Sequence, residues 1–371
     1  MELTIDENVL KAYGLTRKNI KIKQIGSGHI NSTYLLTHLD NGKAYILQKI
    51  NANVFQNPQA IATNIKLVAT YLSNQDASYL FPAPLQTITG NTMVVLNDNY
   101  WRLSPFIADT VALDTLTSPK QAYEAAKQFG KLSRLLNGFD SSTLTPTIIG
   151  FHDLELRFNQ FKNALANSKQ TVKAQPEVEA ALKFEHIVWQ YNQFNEKGDL
   201  PNRVMHHDTK ISNVLLNKDT YEGVCVIDLD TLMPGKFISD LGDMMRTYLC
   251  EFSENEKDLS KIRIRVPYFS AMIEGYLSEM GSILTATEKE MLLFSGKYII
   301  YMQALRFLTD FLNGSIYYPI SYAEQNLDRA RNQFKLLEEL IKDEDQLQQL
   351  IDDCLLKEQG LKSIFSTNRI A

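Results

Sequence analysis

At 371 residues the chain is longer than one compact core usually supports, so two lobes sharing a cleft are expected. Its 38 lysines and arginines against 43 aspartates and glutamates leave a net charge of -5, which excludes a global attraction to nucleic acid or to an anionic membrane. Any phosphate must therefore be gripped by local groups. The widely spaced Cys225, Cys250 and Cys354 match no metal-ligand pattern and fit a reducing compartment. The opening stretch MELTIDENVLKAYGL carries acids where a secretory leader carries cations, and no apolar run approaches the ~20 residues of a membrane span, so a cytoplasmic protein is expected.

The first hundred residues read as strands and turns. KIKQI alternates at period two, GSGHIN interrupts it, STYLLTHL resumes, and Asp40-Asn41-Gly42 offers a hairpin turn before AYILQKI. Residues 85–107 repeat the style, with strands predicted at LQTI, TMVVL and YWRLSPFI and turns at Thr89-Gly90-Asn91 and Asn97-Asp98-Asn99. Between these halves, apolar residues at 61, 65, 68, 69 and 72 mark one helical face. An antiparallel sheet with one helix laid against it follows.

From Asp109 onward the texture is helical. Ser118-Pro119 starts a helix whose stripe is Ala122, Ala125, Phe129, Leu132 and Leu136, ending near Gly138. Thr287 with Glu290 reads as a capping box before a long apolar helix running to Gly314, and Ser321 with Glu324 repeats that signal before Leu327 to Ile341. One β island, NVLLNKDTYEGVCVIDLDT, breaks the region.

That island carries the chemistry. His206-His207-Asp208, then four residues, then Asn213, has the spacing of a kinase catalytic loop, H-R-D-x-x-x-x-N, with His207 in the place of the arginine. Fifteen residues on, after a turn at Tyr221-Glu222-Gly223, Asp228 stands where such a site needs its metal-binding aspartate. One carboxylate must accept a proton from an acceptor hydroxyl, while an amide oxygen and a second carboxylate hold magnesium against phosphates. Asp208 is the expected base, Asn213 and Asp228 the metal ligands, and Lys210 a cation for the transferring phosphoryl group. Two histidines and an aspartate could also ligate zinc, but neighbours on an extended segment point to opposite faces and make a poor chelate. Gly26, Ser27 and Gly28 join two predicted strands, where glycine lets backbone N–H groups approach phosphate.

With these residues placed, the chain resembles the aminoglycoside phosphotransferase and choline kinase superfamily, and more narrowly the N-acetylhexosamine 1-kinases. The narrower resemblance rests on GHINSTYL (28–35), YILQKIN (45–51), FHD (151–153), HHDTKISN (206–213), IDLDTLMPG (227–235), DLGDMMR (240–246) and RFLTDFL (306–312), in family order. It implies an α+β, two-lobed protein-kinase-like fold: a small antiparallel N-lobe with one helix over residues 1–104, and a larger, mostly helical C-lobe over 105–371. ATP and Mg2+ would lie between the lobes, with the backbone from Ser104 through Phe106 to Ile107 as the adenine-binding hinge. The acceptor would be a small sugar, GlcNAc or GalNAc, contacted by His29, Asn31, Asp230, Thr231, Arg306 and Tyr317.

Two departures from the pattern stand out. The third-strand lysine of protein kinases falls near Gln48-Lys49, of which strand alternation lets only one face the nucleotide, and Lys49 is the expected one. Its acidic partner on the next helix is missing, since Asn64 and Lys66 occupy that turn. Arg306 could instead pair with Asp310 on its own helix face, and Asp230 and Thr231 could serve only to fix the turn of the island. The alternatives kept open are a kinase of this fold acting on choline, homoserine or an aminoglycoside, and a non-catalytic nucleotide-binding protein.

Overall fold

The computed structural model describes residues 5–25, 30–198 and 200–367. The N-terminal lobe opens with a short helix, α1 (Glu7–Ala12), capped by the Asp6 carboxylate, which accepts from the Asn8 N–H at 2.8 Å. Strands β1 (Ile20–Ile25), β2 (Ser32–His38) and β3 (Ala44–Ile50) follow, then α2 (Pro58–Gln75), β4 (Val94–Leu96) and β5 (Asn99–Pro105). They form an antiparallel sheet in the order β1-β2-β3-β5-β4. Helix α1 is an addition to the expected single helix. Its Val9 and Leu10 pack with Leu36, Leu47, Trp101 and Leu103 into a small core on one face of the sheet.

The opposite face turns toward α2 and the rest of the chain. Ile50 and the α2 residues Ile61, Ile65 and Val68 join the main core there, so successive residues of β3 alternate between two half-buried surfaces. The LQTI segment is not a strand. Its ties are single bonds, from Leu85 N to Leu103 O, Thr87 N to Asn91 O and Ile88 N to Ala12 O, which pin it between α1 and the sheet without a ladder.

Beyond β5 the C-terminal lobe contains β6 (Thr110–Val111), α3 (Pro119–Leu135), α4 (Leu154–Asn167), α5 (Gln175–Lys183) and α6 (His186–Glu196). The island comprises β7 (Arg203–Met205), β8 (Val214–Asn217), β9 (Gly223–Val226) and β10 (Met233–Gly235). Strands β8 and β9 form the expected hairpin, with β6 on its edge, and β7 pairs with β10. Then come α7 (Ile238–Tyr248), α8 (Val266–Met280), α9 (Ala286–Glu290), α10 (Leu292–Leu312), α11 (Gln325–Lys342) and α12 (Glu344–Thr367).

Helix α10 is buried around nearly its whole circumference, as an all-round apolar sequence requires, and is the post against which α4, α7 and α11 pack. Where α7 crosses it, Gly242 allows the approach: a Cβ there would overlap the Ser295 carbonyl oxygen. The capping box lies two residues earlier than expected, at Thr285 and Glu288, and starts the short α9 rather than α10. Glu288 is held there because its carboxylate also receives Arg203 in a bidentate pair, both contacts 2.8 Å. Among the described residues no helix is long and apolar enough to cross a membrane.

Candidate active site

The loop between β7 and β8 is clamped by α7. Asp240, in the first turn of that helix, accepts hydrogen bonds from the backbone N–H groups of His206 (3.0 Å) and His207 (2.7 Å). Asp243, one turn later, accepts from Thr209 N at 2.8 Å and from Arg246 Nε at 2.9 Å. Tyr248 Oη donates to Thr209 O and Thr209 Oγ1 donates to Asp240 O. Two acids three apart on one helix face thus hold the irregular backbone of His206, His207 and Thr209, satisfying buried N–H groups that no ladder could reach. Burial pushes Asp240 up to about 6 against the pull of His206 and the two N–H donors.

His207 adopts a left-handed conformation at φ 66°. Its Nδ1 meets Ser239 Oγ at 2.6 Å, and the same hydroxyl meets His152 Nδ1 of the FHD motif. One hydroxyl has one proton, so it donates to one imidazole and accepts from the other. Burial pushes His207 down to about 4, against the small upward pull of the Pro234 and Met233 carbonyls, and it holds His152 well below the ordinary histidine range. Gly235 completes the pocket, because a Cβ there would overlap Cε1 and Nε2 of the His207 ring. His206 turns elsewhere: its Nε2 meets Ile227 O at 2.9 Å and its Nδ1 accepts from Asp208 N at 3.3 Å.

This scaffold presents Asp208, whose side chain is 26% exposed. Its Oδ2 accepts from Lys210 Nζ (2.8 Å) and Asn213 Nδ2 (2.9 Å). Burial alone would raise its pKa, but Lys210, His206 and the Asn213 amide outweigh it and hold the group below the usual carboxylate range. Lys210 is raised in turn: Asp208 and Asp228 overcome its own burial.

Asp228 begins the turn after β9 in a left-handed conformation (φ 59°, ψ 59°), a strained choice for a residue other than glycine. Its carboxylate makes no hydrogen bond or ion pair among the described residues. Burial and the neighbouring Asp230 and Asp208 push it up to about 7, while Lys210 and Arg102 pull down. A carboxylate crowded by like charges and left without a partner is suited to a cation. Asn213 commits its NH2 to Asp208, so its Oδ1 is the atom left for a metal. Among the described residues no cluster of three or more His, Cys, Asp or Glu forms a ready metal cage. One carboxylate and one amide oxygen are the small protein contribution that magnesium takes when phosphates supply further oxygens.

On the N-lobe side the placement differs from expectation at Lys49. Its Nζ lies 5.9 Å from the centroid of Trp101, on the α1 face of the sheet. Gln48 is the residue of this strand on the α2 face, where its Oε1 accepts from Arg102 Nε (3.0 Å) and Nη2 (2.8 Å). Helix α2 contains no acid, and Asn64 anchors it instead, donating to Thr145 O and Leu232 O.

Three expected sugar contacts are spent inside the protein. Asp230 gives one oxygen to Arg102 and the other to Asn31 Nδ2 at 2.6 Å, with its side chain 3% exposed. Asn31 Oδ1 accepts from Asn51 N, and Thr231 Oγ1 donates to His206 O at 2.6 Å. These residues join the lobes and fix the turn. Gly26, Ser27, Gly28 and His29 lie outside the described residues.

Arg306 and Tyr317 remain open. Arg306 does not pair with Asp310, whose carboxylate receives the N–H groups of Ile316, Tyr317 and Tyr318. Its guanidinium instead lies 5.2 Å from the Phe151 ring and 5.5 Å from the Tyr318 ring, with Nη1 on Gln303 Oε1. Arg157 is near enough for Arg306 to depress it, after the larger effect of burial. Neither arginine forms an ion pair with a carboxylate among the described residues. Tyr317 is 60% exposed and stacks edge-on to Tyr318. At the expected hinge, Ser104 pairs with Ile46 in the ladder, and Phe106 N donates to Ala44 O at 3.3 Å. Phe106 also lines a recess of about 380 Å3 with Ala44, Tyr45, Leu85 and Pro105. Ile107 N donates to no acceptor among the described residues.

A family model described as "Phosphotransferase enzyme family" matches residues 21–259. Among solved structures, the chain is similar to a microcompartment-associated aminopropanol kinase, at 17% identity over 91% of this chain and 97% of that one, TM-score 0.62. It is similar to a spectinomycin phosphotransferase solved with ADP and spectinomycin, at 14% over 92% and 99%, TM-score 0.58. A choline kinase from Cryptosporidium parvum Iowa II matches at 17% over 95% and 97%, TM-score 0.56. At these identities the likeness is one of fold, an antiparallel N-terminal lobe on a helical C-terminal region.

Proposed function

The chain belongs to the phosphotransferase enzyme family, and on that premise we propose that it uses ATP and Mg2+ to phosphorylate the anomeric hydroxyl of an N-acetylhexosamine, GlcNAc or GalNAc. The observation that carries the phosphotransfer reading is the convergence of Asp208, Lys210 and Asn213 with an Asp228 that has no partner among the described residues. Asp208, ionised at neutral pH, accepts the proton of the acceptor hydroxyl as that oxygen bonds to the γ-phosphorus and ADP leaves. Lys210, paired to Asp208 at 2.8 Å, would offset the incoming phosphate charge. Asp228 and the Asn213 Oδ1 would hold the metal ion, which when bound neutralises the phosphate oxygens. Ile107 N–H is the hinge donor offered to adenine. An anomeric hydroxyl is more acidic than an ordinary alcohol, so a carboxylate with a low pKa suffices as its acceptor.

The choice of a sugar over an amine-bearing alcohol is supported by the acceptor side. Arg306 and Arg157 stand beside Phe151, Tyr317 and Tyr318 without carboxylate partners among the described residues, an arrangement that repels a cationic acceptor and suits the apolar face and hydroxyls of a sugar. A kinase acting on another small alcohol is the second reading, since the structural neighbours include kinases with such acceptors in their names. The test is incubation with MgATP and a panel of GlcNAc, GalNAc, glucose, choline, homoserine and an aminoglycoside, with 31P NMR of the products. A sugar 1-phosphate from the N-acetylhexosamines is expected; turnover confined to choline, homoserine or the aminoglycoside sinks the sugar reading.

A further inference from the structure

The reorientation of Lys49 leaves the nucleotide side of the N-terminal lobe without the cation expected on β3. Its cross-strand neighbour supplies one. Arg102 on β5 is paired with Gln48 in the sheet register and shares its face. Its Nε and Nη2 both donate to Gln48 Oε1, which fixes the guanidinium plane, and Nη1 crosses to Asp230 in the C-terminal lobe. Arg102 is 4% exposed and so has no competing life as a solvated surface charge.

A guanidinium carries five N–H groups. Three are spent here, which leaves one N–H on Nη1 and one on Nη2 of a planar group whose geometry suits phosphate oxygens. The charge is also in the right place. Asp230, which Arg102 pairs with, lies two residues after Asp228 in the same turn.

We propose that Arg102 is the residue through which the N-terminal lobe grips the nucleotide phosphates, taking from β5 the place that Lys49 does not fill on β3, with Asp230 holding it aligned beforehand. This rests on the phosphotransfer reading above. Gln48 is then the aligning partner rather than a failed lysine, and the buried Arg102–Asp230 pair is a pre-set clasp between the lobes. A guanidinium already aligned loses less conformational freedom on binding than a free lysine would.

The test is calorimetric titration of the full chain with ATP, ADP and adenosine in the absence of any acceptor, supported by thermal melts. The Arg102→Met/Asp230→Asn double variant removes both charges, so no buried ion is left unpaired. It is expected to bind ATP and ADP at least about tenfold more weakly while keeping its affinity for adenosine, the loss of one charge-assisted contact. Lys49→Met is expected to bind all three as the wild type does. Should the double variant not fold, Arg102→Lys decides, with a loss for ATP and none for adenosine expected. Equal ATP affinity in wild type and variant, or equal losses for ATP and adenosine, overturns the proposal. A wild-type chain that binds no ATP would overturn the phosphotransfer reading itself, a result distinct from either.

Discussion

Asn213 Nδ2 reaches Asp208 twice, at the main-chain oxygen (2.8 Å) and at carboxylate Oδ2 (2.9 Å), so one amide fixes both the backbone and the side chain of the proposed base. Asp208→Asn should lower kcat by about 100- to 10,000-fold, the ordinary range for a lost general base, with an unchanged melting temperature. Asn213→Ala should lower kcat and also raise the magnesium concentration needed for half-maximal rate. Steady-state assays over a magnesium series check both; full activity in Asp208→Asn would remove that residue from the chemistry.

The contact between Gly235 and the His207 ring predicts a coupled pair. Gly235→Ala alone should destabilise the protein by about 1–3 kcal/mol, the usual cost of overpacking a tight site. In a His207→Ala background the same change should cost far less, because the clashing ring is gone. Urea denaturation of the four members of the cycle measures the coupling, and additive effects would show that the ring is not what excludes a side chain at 235.

His207 also makes a prediction about pH. Its folded pKa, about 4, lies below the value of about 6.5 for an unfolded histidine. Between those two values the unfolded chain holds a proton that the folded one does not. This contribution to stability is therefore complete above pH 6.5 and is lost as the pH falls toward 4, at up to about 1.4 kcal/mol per unit. Asp240, raised to about 6, acts in the opposite sense, favouring the folded state at low pH. Comparison with His207→Asn isolates the histidine, since Asn tolerates φ > 0. The slope of unfolding free energy between pH 5 and 6 should change by about 1 kcal/mol per unit in the variant; parallel curves would count against a neutral buried His207.

Arg306 lies against the rings of Phe151 and Tyr318, with Nη1 donating to Gln303 Oε1. Arg306→Leu should raise the KM for the acceptor by about 10- to 100-fold, the worth of one charged hydrogen bond, while leaving the KM for ATP alone. An equal rise in both constants would place Arg306 in the scaffold instead.

Much of the candidate site on the hairpin was readable in the chain because its members are close in sequence. Asp208, Asn213 and Asp228 are separated by a loop, a strand, a turn and a strand, and the period of β8 and β9 dictates that they meet at one end. The two acids of α7 had a signal as well, in the spacing of DLGDMMR, but nothing local says that a helix face will receive backbone N–H groups from residues 33 or 34 positions earlier.

By itself the amino-acid order determined most of the element types, the antiparallel hairpin and the spacing of the proposed base and the two metal-ligand candidates, because hydrogen-bonding period and turn chemistry act over a few residues. Only the tertiary structure decided which side of β3 meets the cleft. Both faces of that strand are half-buried, one against α1 and one toward α2, so alternation could not choose between Gln48 and Lys49. It decided too that Arg102 and Asp230, 128 positions apart, neutralise each other between the lobes, since a buried charge takes whichever partner the packing brings within reach.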